Sequence, residues 1–333
     1  MSKTQTPDIS FIVAAAQDMA KHLQAGQLVV LQSTTYPGTT EDVLLPILED
    51  GGRQVGKDFF LGYAPERVDP GNREWSIRAT PKLVSGVTCE CRRRTEALYQ
   101  QIVDTVVPVS SPTVAETAKI HENTFRAVNI ALANELALMC DRLGISVWEV
   151  IDAASTKPFA FLPHYPGPCL GGDCIPVVPH FLAWRLREYG YSAQLIRAAH
   201  EINAQMPGHV VQKVADALNE AGRPIRGSRL LLLGLAYKAD VHDTRESPSL
   251  EVMRQLLARR GEVSYCDPWV PEIELDGAHH HGVAWTAENV RAADCVVVLT
   301  PHRRFLEEPR WEHANLVVDT RNVVPVAPGV HRL

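Results

Sequence analysis

Apolar residues recur at helical spacing over residues 8–24, where Phe11, Ala14, Ala15, Met19 and Leu23 share a face. Asp8 or Ser10 stands where a cap belongs, so a helix is predicted there. The period then changes. After Gly26, QLVVLQSTT is a continuous apolar run, the pattern of a parallel strand buried on both faces. DFFLGYAPE and PKLVSGV read as further strands, ECRRRTEALYQQIV as a helix and TVVPVS as a short strand. The alternation predicts an α/β region with a parallel sheet.

Ser111-Pro112 opens a long helix, with proline at the first helical position, and Gly144 closes it after about Leu143. At 1.5 Å per residue it spans roughly 48 Å, long enough to bridge domains or to pack against a second subunit. Shorter helices are predicted around 147–154, 179–189 and 192–204, with a Pro/Gly-rich segment at 163–179 between them. Met206-Pro207-Gly208 reads as a boundary. Beyond it GSRLLLLGLAYK is a buried strand, Ser247-Pro248 starts a helix that ends at Gly261, and EVSYCDP, DCVVVLT and NLVVDT are strands.

The predicted architecture is α/β: two Rossmann-like doubly wound domains joined by a long central helix. Its divisions are 1–110, 111–206 and 207–333. The first region begins with a helix leading into a strand, and no G-x-G occurs among the 333 residues. It therefore reads as a truncated domain, the second half of a doubly wound fold without the G-x-G-x-x-G fingerprint.

A chain of 333 residues predicts two or three domains, and 45% hydrophobic with 22% charged residues is a globular composition. A net charge of -6 argues against a dedicated nucleic-acid or membrane-surface binder. The opening MSKTQTPDIS has no apolar segment of signal type. Seven cysteines without framework spacing fit reduced thiols, hence a cytoplasmic protein.

Candidate chemistry concentrates in a few stretches. In GGDCIPVVP, Cys174 follows Gly171-Gly172 and precedes Pro176 and Pro179, a setting that holds one thiol still. It is a nucleophile or a small buried apolar residue. Lys119 and Asn123 sit at i and i+4 on the long helix, either an oxyanion site or a solvated face. Ser33, Thr34 and Thr35 follow one strand, and Glu66 and Arg67 follow another, where α/β sheets bind ligands. A carboxylate there is a candidate general base, and an ordinary capped loop is the plainer reading. Lys238 and Arg245 flank a helix start suited to phosphate, or are surface charges. Cys89-x-Cys91 and His279-His280-His281 lack a second ligand pair at zinc spacing, so no metal site is predicted.

The motifs STTYPGTTE, APERVDPGN, ENTFRAVNIALANEL, TKPF, YPGPCLGGDCIP and GLAYKADVHDTRESPS occur in this order. Together they resemble the family of UDP-glucose and GDP-mannose dehydrogenases over nearly the whole chain. The resemblance implies NAD as cofactor and UDP-N-acetylglucosamine or a related UDP-hexose as substrate, in surface-polysaccharide synthesis. It also implies a mechanism in which a nicotinamide oxidises the C6 alcohol and a cysteine adds to the aldehyde. A second oxidation then leaves a thioester that water hydrolyses to the carboxylate.

By position Cys174 matches the nucleophile, Lys119 and Asn123 the oxyanion pair, and Glu66 the carboxylate of thioester hydrolysis. Thr34 matches a threonine near the nicotinamide, and Arg245 a cofactor contact. Tyr165 and Gly171 lie in the substrate loop, and Lys238 matches a substrate contact in a UDP-binding last domain. A homodimer is implied, with no nucleic-acid or membrane partner. Three positions depart from the pattern: Val178 replaces an aspartate, Asp173 a histidine, and Cys169 a glycine. Valine accepts no proton, and a carboxylate beside a thiol favours the neutral thiol. With the truncation, these departures support an alternative: an inactive remnant that binds UDP-sugar or a partner subunit.

Overall fold

A computed structural model of the chain describes residues 6–69, 72, 74–172 and 174–333. In chain order its elements are α1 (Ser10–His22), β1 (Leu28–Leu31), a π-helical turn (Thr39–Leu44) running into α2 (Leu45–Glu49), β2 (Phe60–Tyr63), β3 (Lys82–Gly86), α3 (Cys89–Tyr99), β4 (Val106–Pro108), α4 (Pro112–Leu143), α5 (Val147–Ser155), α6 (Val178–Arg187) and α7 (Gln194–Glu220). There follow β5 (Arg229–Leu233), α8 (Pro248–Ala258), β6 (Glu262–Cys266), β7 (Glu272–Leu275), β8 (Ala278–His281), α9 (Ala287–Ala292), β9 (Cys295–Val298), α10 (Arg303–Glu307), a 3-10 turn (Trp311–His313), β10 (Val317–Asp319) and β11 (Val330–Arg332). The chain forms two compact units. One runs up to Phe125 and takes in Val177–Ile196; the other comprises Arg126–Pro176 and Arg197–Leu333.

The first unit carries a sheet in the order β1-β2-β3-β4. β1 pairs with β2 in parallel and β3 with β4 in parallel, but β2 and β3 run antiparallel. The sheet is thus mixed where an all-parallel one was predicted, since an apolar run shows that a strand is buried and not which way its neighbour runs. Val29, Phe59 and Leu61 pack with Ala16, Leu44 and Leu48 into one core. At the start of α1 the Asp8 carboxylate accepts from the Ser10 amide at 3.0 Å, but the N-cap position falls to Ile9, which has no side-chain bond to give, so neither predicted residue is the cap.

The second unit is built on the parallel sheet β11-β10-β9-β5-β6. Alternate residues of its central strands face two different cores. Leu230, Leu232 and Val297 pack with Met206, Val210, Val214 and Leu218 of α7 and with Val252, Met253 and Leu256 of α8. Leu231, Leu233, Val296 and Val298 pack with Trp285, Val290 and Phe305. Double burial is why these strands read as unbroken apolar runs.

The boundary predicted at Met206-Pro207-Gly208 is not a break. α7 continues through Pro207 to Glu220. A mid-helix proline costs about 3 kcal/mol, and each fully buried Val, Leu or Met side chain returns about 1.5–3 kcal/mol. Met206, Val210, Val211, Val214 and Leu218 are all buried, so packing outweighs the local signal. Among the described residues no helix is long and apolar enough to cross a membrane, and all seven cysteines are free.

Candidate functional site

In the first unit the sheet and α4 hold Thr34, Glu66, Lys119 and Asn123. Thr34 lies half-buried in the loop leaving the carboxyl end of β1. A carboxylate that the sequence reading missed fastens this loop. Glu116, fully buried, accepts from the amide of Gly38 at 2.6 Å, the amide of Thr40 at 2.9 Å and the Thr40 hydroxyl at 2.7 Å. Burial pushes its pKa up, against the opposing pull of these donors. Glu116 precedes Lys119 by three positions and Asn123 by seven, so all three share a face of α4. All three are buried, and the Asn123 amide nitrogen is buried without a hydrogen-bond partner. A carboxylate at helical spacing from two other polar residues was the sequence signal for this face.

Glu66 follows β2, beside the β1 loop, with its amide donating to the Gln32 carbonyl at 3.4 Å. Its Oε1 accepts from the amides of Arg67 and Val68, each at 2.8 Å, and its Oε2 meets the Lys82 ammonium at 3.2 Å. Burial works to raise its pKa. The Val68 amide, the Lys82 charge and the Arg67 amide outweigh that and hold it below the ordinary carboxylate value. Glu66 is therefore ionised near neutrality and able to accept a proton. Arg67 ties the segment to α4 by a 2.8 Å ion pair with Glu122, the residue before Asn123.

In the second unit the Pro/Gly-rich segment is pinned from two sides. Asn134 of α4 accepts from the Gly167 amide at 2.9 Å and donates to Asn203 of α7 at 2.8 Å; Asn203 donates onward to the Ala127 carbonyl. Both asparagines are buried, and the apolar periodicity that predicted their helices concealed them. Gly171 and Gly172 lie against the loop between β5 and α8. A Cβ at Gly171 would stand 2.5 Å from the Tyr237 Cβ, and one at Gly172, where φ is +80°, would stand 3.0 Å from the Tyr237 ring. The Gly172 amide donates to the Arg245 carbonyl at 3.1 Å. The paired glycines are thus a requirement of close approach.

This packing brings Gly171 to the loop that carries Lys238 and Arg245. The Arg245 guanidinium pairs with Asp243 at 2.6 Å, and that contact holds the Asp243 carboxyl below its ordinary value. Cys174 is exposed. Tyr165 stacks on Trp148 at 5.8 Å, and its hydroxyl donates to Asp152 at 2.8 Å. Cys169 has φ +138°, a conformation that side-chain-bearing residues rarely adopt. Arg321, also missed, lies beneath this segment, because a Cβ at Gly167 would meet its guanidinium at 2.4 Å. Burial draws its pKa down to about 10. Val178 is buried at the start of α6. Asp173, and Pro70, Gly71 and Arg73 of the APERVDPGNR stretch, lie outside the described residues. Among those described, no group of three or more His, Cys, Asp or Glu side chains is placed to hold a metal.

Three models of one family match the chain in order: its NAD-binding domain over residues 1–103, its central domain over 113–205 and its UDP-binding domain over 231–326. The chain belongs to the UDP-glucose/GDP-mannose dehydrogenase family. It is an NAD-dependent nucleotide-sugar dehydrogenase by this membership. The truncation expected of the first domain is not supported, because the NAD-binding-domain model matches residues 1–103.

Similar proteins include a UDP-N-acetyl-D-glucosamine 6-dehydrogenase of Pseudomonas aeruginosa, 36% identical over 90% of this chain and 71% of its own length. A UDP-N-acetyl-D-mannosamine dehydrogenase of Pyrococcus horikoshii is 34% identical over 97% of this chain and 75% of its own length. Among solved structures, a UDP-D-ManNAc dehydrogenase from Pyrococcus horikoshii superposes with a TM-score of 0.89 at 32% identity, covering 99% of this chain and 78% of that one. A UDP-N-acetyl-mannosamine dehydrogenase from Staphylococcus aureus gives a TM-score of 0.83 at 32% identity, over 98% and 76%.

In the first unit, matched by the NAD-binding-domain model, the half-buried Thr34 stands at the carboxyl end of a parallel strand, where sheets of this kind hold ligands.

Proposed function

We propose that this dehydrogenase oxidises the C6 alcohol of UDP-N-acetylglucosamine, or of a closely related UDP-hexosamine, to the carboxylate, and that it serves surface-polysaccharide synthesis as a cytoplasmic homodimer. The observation that carries the reading is the fit of Gly171-Gly172 onto Tyr237, which sets the segment leading to Cys174 against the loop bearing Lys238. Support for the sugar comes from the Pseudomonas aeruginosa relative, whose substrate carries a 2-N-acetyl group.

In this reading NAD, when bound, supplies the hydride acceptor for both two-electron oxidations, with Thr34 and Arg245 holding it. The Cys174 sulfur forms a bond to the C6 aldehyde and later carries C6 as a thioester. Lys119 and the unpartnered Asn123 amide steady the negative oxygen on C6. Water bonds to C6 as Glu66 in its ionised form takes its proton, the C–S bond breaks with its electron pair going to sulfur, and that proton passes on to regenerate the thiol. Lys238 meets the diphosphate, while Tyr165 and Gly171 line the sugar. The proposed domain roles follow the divisions 1–110, 111–206 and 207–333. Val178, apolar and buried, favours a second reading, UDP-sugar binding without turnover.

The test is NADH formation with UDP-N-acetylglucosamine, UDP-glucose and UDP-N-acetylmannosamine, run on the parent, Glu66→Gln and Val178→Asp. The parent is expected to turn over the N-acetylglucosamine substrate. Glu66→Gln should accumulate an acyl adduct on Cys174, visible by intact mass. No NADH from the parent, together with a gain in Val178→Asp, establishes the second reading. No NADH from either overturns the first.

A further inference from the structure

In the second unit β5 lies between β9 and β6 in a parallel sheet, so the chain leaves β5 where the strand order reverses. Ligands of such sheets bind outside the carboxyl ends of the strands at that point. The loop leaving β5 runs over residues 234–247 and carries Lys238. Its start is fixed by the ends of the two neighbouring strands. Asp267, after β6, accepts from the amides of Leu235 at 2.7 Å and Ala236 at 2.9 Å. Thr300, after β9, donates its hydroxyl to the Ala236 carbonyl at 2.6 Å.

The far side of Lys238 is fixed by a residue that the proposed mechanism does not use. His302 is fully buried. Its Nδ1 stands 3.0 Å from the Asp240 amide nitrogen and its Nε2 stands 3.0 Å from Asp267 Oδ2. A backbone N–H only donates, so Nδ1 presents its lone pair there and the ring proton sits on Nε2, given to Asp267. Asp240 needs the restraint, because it holds a left-handed φ of +60° without being a glycine. Its own carboxylate accepts from the Arg303 amide at 3.0 Å and pairs with the Arg303 guanidinium at 3.3 Å. The charged groups around the imidazole are thus Asp267, Asp240 and Arg303, and the Phe305 ring meets it edge-on at 5.6 Å.

We propose that His302 is a positioning residue for nucleotide binding: its neutral, Nε2-protonated ring clamps the loop at Asp240 and thereby holds Lys238 at the carboxyl end of the sheet. This rests on the assignment of UDP to the Lys238 loop. The two nitrogens have separate tasks, and two substitutions separate them. His302→Asn places an oxygen where Nδ1 was and keeps an acceptor for Asp240. His302→Gln reaches Asp267 and leaves the Asp240 amide without one. His302→Phe removes both.

Three measurements on the full chain test the clamp. Nitrogen NMR of the parent should show Nδ1 unprotonated and Nε2 protonated. Amide exchange at Asp240 should be faster in His302→Phe and His302→Gln than in the parent and His302→Asn. Calorimetry with UDP should give an affinity roughly tenfold lower in His302→Phe and His302→Gln, the scale expected when a buried amide loses its acceptor, with most of it kept in His302→Asn. A proton on Nδ1, unchanged exchange at Asp240 in His302→Phe, or equal losses of affinity in the Asn and Gln variants overturns the proposal. A parent that takes up no UDP overturns the nucleotide assignment, and exchange and NMR then judge the clamp alone.

Discussion

Cys169 shows how one side chain sets a local cost. Its φ of +138° is a conformation that glycine adopts freely and other residues adopt under strain. Such strain is worth on the order of 1–3 kcal/mol. The side chain returns part of that by packing, half-buried, against the core around β5, α7 and α8. Burial also pushes its thiol pKa up to about 11, so it stays protonated near neutrality and is a poor nucleophile. The expected outcome of Cys169→Gly is a net gain of about 1 kcal/mol, seen as a rise of roughly 2–4 °C in melting temperature. A lower melting temperature would show that packing at Cys169 outweighs its backbone strain.

The helix α7 carries a second stored cost, at His209. Its Nε2 is buried without a hydrogen-bond partner, and Asp141 lies 3.9 Å away. Burial lowers the His209 pKa below the ordinary 6.5, although Asp141 pulls the other way. A depressed folded value means that the unfolded chain takes the proton first. The contribution of His209 to stability is complete above pH 6.5 and is lost as pH falls through the lower folded value. Thermal unfolding of the parent between pH 7.5 and 5, compared with His209→Gln, reads this directly. The substituted chain is expected to lose less stability over that range. Equal slopes would mean that His209 titrates alike in both states.

For the whole molecule the question is what covers α4. Leu132, Met139 and Leu143 are 62%, 49% and 69% exposed on it. They stand seven and then four residues apart, which gathers them onto one side of the helix. A self-complementary apolar face is what a two-fold dimer requires. In the proposed homodimer, sedimentation of the parent should give twice the chain mass, and Leu132→Glu combined with Met139→Glu should give the single mass. A parent sedimenting as a monomer would remove the dimer from the proposed function.

Periodicity marked most of the longer elements, because burial on one or two faces writes itself into the spacing of apolar residues, but it did not reveal the short α2, α9 and α10 or the β7–β8 pair. Thus α4 and the apolar strands β1, β5 and β9 were legible; the candidates were marked in other ways, Cys174 by its glycines and prolines, Glu66 by a strand end, and Lys119 and Asn123 by their spacing on one helix. Tertiary structure decided what depends on residues far apart in the chain. It ran β2 and β3 antiparallel and carried α7 through Pro207, since core packing outweighed the local breaker. It placed Glu116 beneath Gly38 and Thr40, some 76 residues away, and His302 between Asp240 and Asp267. Those polar residues resemble surface side chains in sequence. Their function as acceptors for buried amides exists only once the fold has removed water from both partners.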